Sequence, residues 1–425
     1  MRRRRNNIFK GVDWLLIIIY LIFIFLGWMS IYAATYSDTQ FEIFDFSTKY
    51  GKQFIWIILS FVLIIIILAI EKKFYEQFSG VFYLISILSL IGLFIFGKNI
   101  NGATSWYNFG SFAFQPSEFA KTATALAIAN YLNERNRDLK KLPNQLKAFG
   151  VIFLPALLIT LQPDPGSALV YGSLILVLYR FGLPTYYLVI GFLTLILFIT
   201  TLYLGYVITL LIAITLISLF IIYLSNKNKK NIRNNWLSFI LIYLFTSLFI
   251  FSVDYVFNNI FEQRHRDRFN ILLGKDIDTQ GIGYNTAQSV ITIGSGGLDG
   301  KGFLQGDRTQ GNFVPEQQTD YIFSTIGEEW GFLGSAFVIL LFVSFLIRLL
   351  YIAERQKSTF SKVYGYATVA IFFFHFTINI GMVIGLLPTI GIPLSFFSYG
   401  GSSLWGFTIL LFILIRLDAD RVYEW

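Results

Sequence analysis

The stretch WLLIIIYLIFIFLGWMSIYAA, residues Trp14–Ala34, sets the fold class because it is almost entirely apolar and contains no charged residue. A helix crosses the hydrocarbon core of a bilayer with about 20 such residues. Comparable runs occupy Phe54–Ile70 and Trp236–Phe257. Of the 425 residues, 55% are hydrophobic and 14% are charged, whereas about 25% are charged in soluble domains. The sequence therefore predicts an all-α polytopic membrane protein.

The positions of the charged residues predict how the chain crosses the membrane. The net charge is +8, but Lys and Arg cluster in every second short connection between the apolar runs, and the connections between those are poorer in both. This is the positive-inside pattern of membrane proteins, and it does not favour a nucleic-acid partner. Arg2–Arg5 precede a first run that is too long for a signal peptide, so we interpret it as an uncleaved first helix. These basic residues place the amino terminus inside. With an even number of spans, both termini are then predicted to be cytoplasmic. The predicted spans, about 12 in number, cover residues 13–34, 52–70, 80–97, 116–133, 148–162, 166–181, 185–202, 204–224, 236–257, 327–350, 364–386 and 394–416.

One connection is much longer than the others. Residues 258–326 are rich in glycine and polar residues but also contain many apolar ones. Long connections are uncommon unless they are functional or disordered. We therefore expect a single domain, residues 1–425, with one large extracytoplasmic loop at 258–326 that folds as short amphipathic helices on the membrane surface.

Two groups in this loop could carry chemistry. Asp276 and Asp278 precede Gly281 and Gly283, which indicates either a capped turn or a functional carboxylate. A calcium loop is excluded, because Ala287 stands where a bidentate Glu is required. Three basic residues before the aspartates could contact lipid headgroups or a lipid-linked diphosphate: Arg264, Arg266 and Arg268.

Lys301 lies in the glycine-rich run Gly294–Gly302, which lacks the spacing of a nucleotide-binding phosphate loop. The run indicates either a tight turn or a close backbone approach to a diphosphate assisted by Lys301.

Three ionisable residues lie within or beside predicted spans. Glu118 and Lys121 are spaced i and i+3, so they share a helix face; they are either a functional pair or a structural ion pair. Asp164, in the turn Gln162–Gly166, is expected to cap the following helix rather than to act in chemistry. The chain has no Cys and two His, which excludes a thiolate zinc site and leaves little histidine chemistry.

Taken together, several motifs resemble those of the SEDS family (shape, elongation, division and sporulation). Their order and spacing cover most of the chain, and the pattern GKGF at 300–303 followed by Thr309–Gln310 is more similar to the rod-shape type than to the division type. Departures are Thr279–Gln280, Gln318, and an apparent extra pair of spans near 185–224 beside the ten typical of the family. The matching stretches are FQPSEFAK (114–121), QPDPG (162–166), 281–302, VPE (314–316), TDYIF (319–323), IGEEWGF (326–332) and 379–403.

This resemblance implies a peptidoglycan glycosyltransferase that polymerises lipid II at the outer face of the bacterial cytoplasmic membrane during elongation. It implies a class B penicillin-binding protein as partner, in addition to lipid II and the membrane lipids. It also implies that Asp278 is the functional aspartate of the large loop, that Arg268 matches a family arginine, and that Glu118 and Lys121 match a polar pair near the substrate cavity.

The mechanism expected from these residues is a base-assisted displacement. Asp278 would take the proton of the acceptor hydroxyl, and Arg268, Lys121 or a divalent cation, Mg²⁺ or Mn²⁺, would stabilise the leaving diphosphate. Glu118 would orient Lys121 or bind the metal, and the metal ligands are otherwise left open. The alternatives are a lipid II flippase, a division-type polymerase and a scaffold that only recruits an enzyme.

Overall fold

The computed structural model describes residues 11–36, 45–100, 102–110, 112–134, 137–227, 236–261, 263–274 and 282–421. These residues form two compact units: Met1–Leu183 with Asn285–Trp425, called unit 1 here, and Pro184–Tyr284, called unit 2. The prediction of one domain over residues 1–425 stays a prediction. Each unit is described by itself below.

Unit 1 is an assembly of helices with one small sheet. It contains α1 (Trp14–Thr35), α2 (Lys49–Ala69), α3 (Lys72–Phe96), β1 (Lys98–Ile100), β2 (Ala103–Phe109), β3 (Phe112–Phe114), α4 (Pro116–Asn133), α5 (Leu142–Thr160), α6 (Pro165–Val170) and α7 (Leu174–Arg180). Unit 2 contains α8 (Tyr186–Leu204), α9 (Tyr206–Lys227), α10 (Trp236–Tyr255) and α11 (Gln263–Leu272). α12 (Ile282–Ser295) begins at the unit boundary, and unit 1 ends with α13 (Asp307–Gln310), α14 (Ile322–Glu354), α15 (Thr359–Val383) and α16 (Gly401–Asp420).

The helical membrane class predicted from the sequence is confirmed. Within the described residues, 10 helices are long and apolar enough to cross a membrane. Two further predicted spans are also helical. α4 contains the Glu118–Lys121 pair, and the stretch predicted at 166–181 is divided into α6, a 3₁₀ turn at Tyr171–Ser173, and α7. The neighbouring predicted spans 185–202 and 204–224 are separate helices that meet at Gly205, whose φ of 83° favours glycine. The total of about 12 spans stays a prediction.

A small antiparallel sheet departs from the all-α prediction. Its strands are ordered β1–β2–β3, and Tyr107 of β2 pairs with Phe114 of β3. The Tyr107 hydroxyl donates to Ser89 O of α3 at 2.8 Å, and Thr104 N donates to Gln162 O at 3.2 Å. The sheet therefore supplies hydrogen-bond partners for the backbone between α3 and α4. It also joins this segment to the turn before α6.

The centre of unit 1 is a cluster of aromatic rings around α16, the most enclosed of the candidate spans. Phe23 of α1 stacks on Phe342 of α14 with a centroid distance of 4.3 Å, and Phe372 of α15 lies 5.6 Å from Phe407 of α16. The Tyr20 hydroxyl and Thr408 Oγ1 are 3.0 Å apart. These contacts join α1, α14, α15 and α16 into one packed core.

An ion network joins the beginning of α1 to the ends of α14 and α16. Arg348 and Arg355 donate to Asp13 at 2.7 and 3.0 Å, and Arg355 Nε donates to Asp418 Oδ1 at 2.9 Å. Asp13 also caps α1 by accepting from Leu16 N at 3.2 Å. The start of the first helix and the end of the last one therefore lie at the same end of unit 1, as an even number of crossings requires.

The long loop is folded over its described residues. It contains a π-helical turn at Val256–Ile260 together with α11, α12 and α13, so the expectation of short helices is confirmed. The run Gly296–Gly302 packs against an interruption of α14 at Gly331, where φ is 62° and ψ is −158°. Phe332 N donates to Gly297 O at 2.9 Å, and Lys301 N donates to Glu328 O at 3.0 Å.

Gly331→Ala is expected to destabilise unit 1 by at least about 2 kcal/mol, because only glycine adopts this backbone conformation readily and there is no room for a methyl group. A Cβ at this position would lie 2.3 Å from Gly300 N and 2.7 Å from Leu298 O. The measurement is the thermal unfolding midpoint of the purified protein in detergent. Gly294→Ala is the control, since nothing lies within 4 Å of a Cβ there. Equal midpoints for the two variants would contradict the prediction.

Candidate active site

Glu118 and Lys121 form a buried ion pair in the first turns of α4. Lys121 Nζ lies 2.9 Å from both carboxylate oxygens of Glu118. Each residue is 3% exposed. The helix begins with Pro116 in its first turn, a position that needs no backbone N–H donor. The predicted sharing of one helix face is confirmed, and the pair is enclosed rather than open to solvent.

A histidine completes this cluster. His375 of α15 places Nε2 at 3.0 Å from Lys121 Nζ and Nδ1 at 3.2 Å from the carbonyl oxygen of Pro393. It is 1% exposed. With two contacts to Glu118 and one to His375, all three N–H groups of the Lys121 ammonium have an acceptor. A direct contact between Lys121 and a substrate would require one of these bonds to be released.

α16 closes the cluster from a third side. The Lys121 ammonium lies 5.0 Å from the ring centroid of Phe407, within the range of a cation–π contact. Gly406 allows the close approach of α16, because a Cβ there would lie 3.0 Å from both Cβ and O of Glu118. α4, α15 and α16 therefore surround one carboxylate and one ammonium, whose charges balance.

Asp164 caps α6, as the sequence indicated. Its Oδ1 accepts from Ser167 N at 3.1 Å, and its Oδ2 accepts from the Gln115 side chain at 3.1 Å. Gln115 immediately precedes α4, and its backbone N–H donates to Ser402 Oγ of α16 at 3.2 Å. Asp164 is thus joined through Gln115 to the beginning of the helix that holds Glu118 and Lys121.

Lys301 belongs to a different polar cluster. Its Nζ lies 2.7 Å from Glu328 Oε1 and 3.1 Å from Asp307 Oδ2. The hydrogen bond to Glu328, with a smaller contribution from Asp307, holds the pKa of Lys301 above its usual value. Glu328 is fully buried and also accepts from Arg308 N at 3.1 Å and Thr309 N at 2.7 Å. These contacts favour the structural interpretation of Lys301, in which it fixes the loop to α14.

The other predicted residues lie outside the described part of unit 1. Arg268 lies on α11 in unit 2. Asp278, the predicted base, lies outside the described residues, as does Asp276. Within the described part of the chain, no group of three or more His, Asp or Glu side chains could hold a metal ion.

Two site residues were missed by the sequence reasoning. His375 was set aside because the chain has only two histidines, and Glu328 was seen only as part of a family motif. Both lie within helices that are apolar enough to cross a membrane. An ionisable residue in such a helix usually has a partner or a function, and this signal could have identified both.

The fold and the site define the class of this protein. It is a polytopic helical membrane protein with a buried ion pair at the start of α4. The family model FTSW_RODA_SPOVE, described as "Cell cycle protein", matches residues 13–230 and 208–423. The chain belongs to this family. The two matches overlap at 208–230, which includes the second half of the predicted extra pair of spans near 185–224.

Curated relatives are similar over most of their length. The peptidoglycan glycosyltransferase RodA of Treponema pallidum is 33% identical over 96% of this chain and 98% of its own. The peptidoglycan glycosyltransferase MrdB of Escherichia coli K12 is 35% identical over 82% of this chain and 80% of its own.

Solved structures share the fold. One, described under "Structural coordination of polymerization and crosslinking by a peptidoglycan synthase complex", has a TM-score of 0.71 at 23% identity and covers 97% of this chain and 99% of its own. The rod shape determining protein RodA of Thermus thermophilus has a TM-score of 0.63 at 21% identity, over 97% of this chain and 98% of its own.

Proposed function

We propose that this chain is a peptidoglycan glycosyltransferase that polymerises lipid II into glycan strands at the outer face of the bacterial cytoplasmic membrane. The observation that carries the proposal is its similarity to curated peptidoglycan glycosyltransferases over nearly its whole length. An elongation role is favoured over a division role. Relatives named RodA and MrdB are 33–35% identical, whereas those named FtsW are 29–30% identical.

In this reaction the acceptor sugar hydroxyl attacks the anomeric carbon of the donor as the bond to the lipid diphosphate breaks. Asp278 takes the hydroxyl proton, and Arg268 stabilises the departing diphosphate. The Glu118–Lys121 pair supports the reaction from within unit 1, where its enclosed charges act in a low dielectric. A divalent cation stays an untested expectation. Among the described residues, no three His, Asp or Glu side chains lie together to hold it.

A class B penicillin-binding protein is the proposed partner. The structural relative solved as part of a peptidoglycan synthase complex shares the fold over 97% of this chain. A partner that binds beside the long loop would shift the population of the chain toward the conformation that it binds best.

The direct test is a gel of glycan polymer formed from labelled lipid II by the purified chain, with and without the partner and with and without chelator. Polymer is expected, and more of it with the partner. No polymer under any condition, combined with transfer of labelled lipid between leaflets of a vesicle, would replace the proposal with a flippase. Full activity of the chain alone in excess chelator would remove both the partner dependence and the metal.

The proposed orientation predicts which positions are reached from outside. The native chain has no Cys, so single cysteines report without background. Asp307→Cys should react with a membrane-impermeant maleimide on intact cells, because the Asp307 side chain is 86% exposed in the loop placed outside. Lys357→Cys, in the exposed turn between α14 and α15, should react only after the membrane is opened. The reverse pattern would invert the topology and exclude polymerisation at the outer face.

A further inference from the structure

We infer that His375 is a positioning residue for the Glu118–Lys121 pair. Its imidazole holds the Lys121 ammonium on one side and, through Pro393, the loop between α15 and α16 on the other. The inference rests on the proposed function, because the pair that His375 holds is assigned to that reaction.

The hydrogen bonds of the imidazole define which nitrogen carries the hydrogen. Nδ1 faces the carbonyl oxygen of Pro393 at 3.2 Å, and a carbonyl only accepts, so Nδ1 is the donor. Nε2, at 3.0 Å from Lys121 Nζ, then offers its lone pair to the ammonium. A neutral imidazole in this tautomer is therefore the acceptor that the third N–H of Lys121 requires.

The loop that His375 reaches is held at neighbouring positions as well. Asn379, one helical turn after His375, donates to Ile392 O at 2.8 Å and to Asp320 O at 2.8 Å. Consecutive carbonyls of the loop, those of Ile392 and Pro393, are thus bound by two side chains on one face of α15. The position of Lys121 is thereby linked to a backbone segment that α15 fixes, and not only to Glu118 on its own helix.

The surroundings strengthen this contact. The His375 ring packs edge-on against Phe407, with centroids 4.7 Å apart and an interplanar angle of 88°, and the same Phe407 ring lies under the Lys121 ammonium. Water has little access, so the bond between imidazole and ammonium acts in a low dielectric. An apolar side chain at 375 would leave one N–H of Lys121 and the Pro393 carbonyl without a partner, which is costly in a buried site.

The test compares His375→Leu with His375→Gln in the full-length protein together with its partner. Leucine removes both hydrogen bonds, whereas the glutamine amide can accept from Lys121 through oxygen and donate to Pro393 through nitrogen. For His375→Leu, kcat for lipid II polymerisation should fall by about tenfold or more with KM changed by less than about twofold. His375→Gln should restore kcat to within about threefold of the parent. Thr368→Val is the matched control, since it removes a buried hydroxyl of α15 that donates to the Tyr364 carbonyl on the same helix.

The outcomes separate this inference from the proposed function. The inference about His375 is overturned if the leucine variant keeps kcat within about threefold of the parent protein. It is also overturned if the glutamine variant folds but is no more active than the leucine variant. If His375→Leu does not fold, His375→Asn replaces it, because the asparagine amide is too short to reach both partners; equal kcat for Asn and Gln overturns the inference.

A double-mutant cycle of His375→Leu and Lys121→Met, measured on the unfolding midpoint, tests the contact without any activity, because each single change removes the bond between the two side chains. Additive midpoint shifts would overturn the contact. If the midpoint shifts are coupled but the parent protein forms no polymer, the contact is supported and the proposed function alone is rejected.

Discussion

Lys121→Met is expected to lower the stability of the protein by about 3–5 kcal/mol, because it leaves the Glu118 carboxylate buried without a counter-charge. Glu118 is 3% exposed, and Lys121 is the cation that contacts both of its oxygens. Glu118→Gln should also destabilise, since the Lys121 ammonium then keeps only neutral acceptors. The measurement is the thermal unfolding midpoint in detergent, with lipid II polymerisation measured alongside.

The double variant Glu118→Gln with Lys121→Met distinguishes a coupled pair from two independent residues. Removing both charges of a buried pair is often close to neutral for stability, so its midpoint should be higher than that of Lys121→Met alone. Its activity should be little lower than that of either single variant, because the pair acts as one unit. Additive losses in both measurements would show that Glu118 and Lys121 act separately.

Asp278→Ala should reduce glycan polymerisation by about 10²–10⁴-fold, the usual contribution of a general base. The protein should still insert and bind its partner, because the change removes only the side chain that takes the proton in the proposed reaction. The assay is again polymer from labelled lipid II, with the amount of inserted protein measured in the same membranes.

Asp276→Ala is the matched control for this change, since it removes a carboxylate two positions away that lacks the spacing to Gly281 and Gly283. It should retain most of the activity. Normal polymerisation by Asp278→Ala, or equal losses in the two variants, would remove the assignment of Asp278 as the base.

The membrane class was predictable because it depends on composition and run length, which are local properties. The separation of α8 from α9 was predicted from one glycine, and the left-handed φ of Gly205 explains why. The sheet at residues 98–114 was missed. The sequence Asn101–Gly102 before the alternating stretch of β2 is a hairpin signal, but the prediction treated this segment as a connection between spans.

The site was predictable only in part, because its partners come from distant parts of the chain. The spacing of Glu118 and Lys121 is local, so their shared helix face could be read directly. The contact between Lys121 and His375 spans 254 positions, and no periodicity relates α4 to α15. For the glycine-rich run around Lys301, the sequence left both a tight turn and an approach to a diphosphate open. In the structure these glycines allow close packing against α14, where a Cβ on Gly300 would lie 2.2 Å from Glu329 O, which favours the tight turn.

The ion network at the start of α1 determines when the fold can be completed during synthesis. Asp13 is 2% exposed in its salt bridge with Arg348, which lies 335 positions later in the chain. At a translation rate of about 5–20 residues per second, the carboxylate waits roughly 20 to 70 s for its first arginine. Asp418, which shares Arg355 with Asp13, emerges later still. The first helix therefore enters the membrane before either arginine of this network has been made, and its docking with the last helix is a late step that follows translation of every other span.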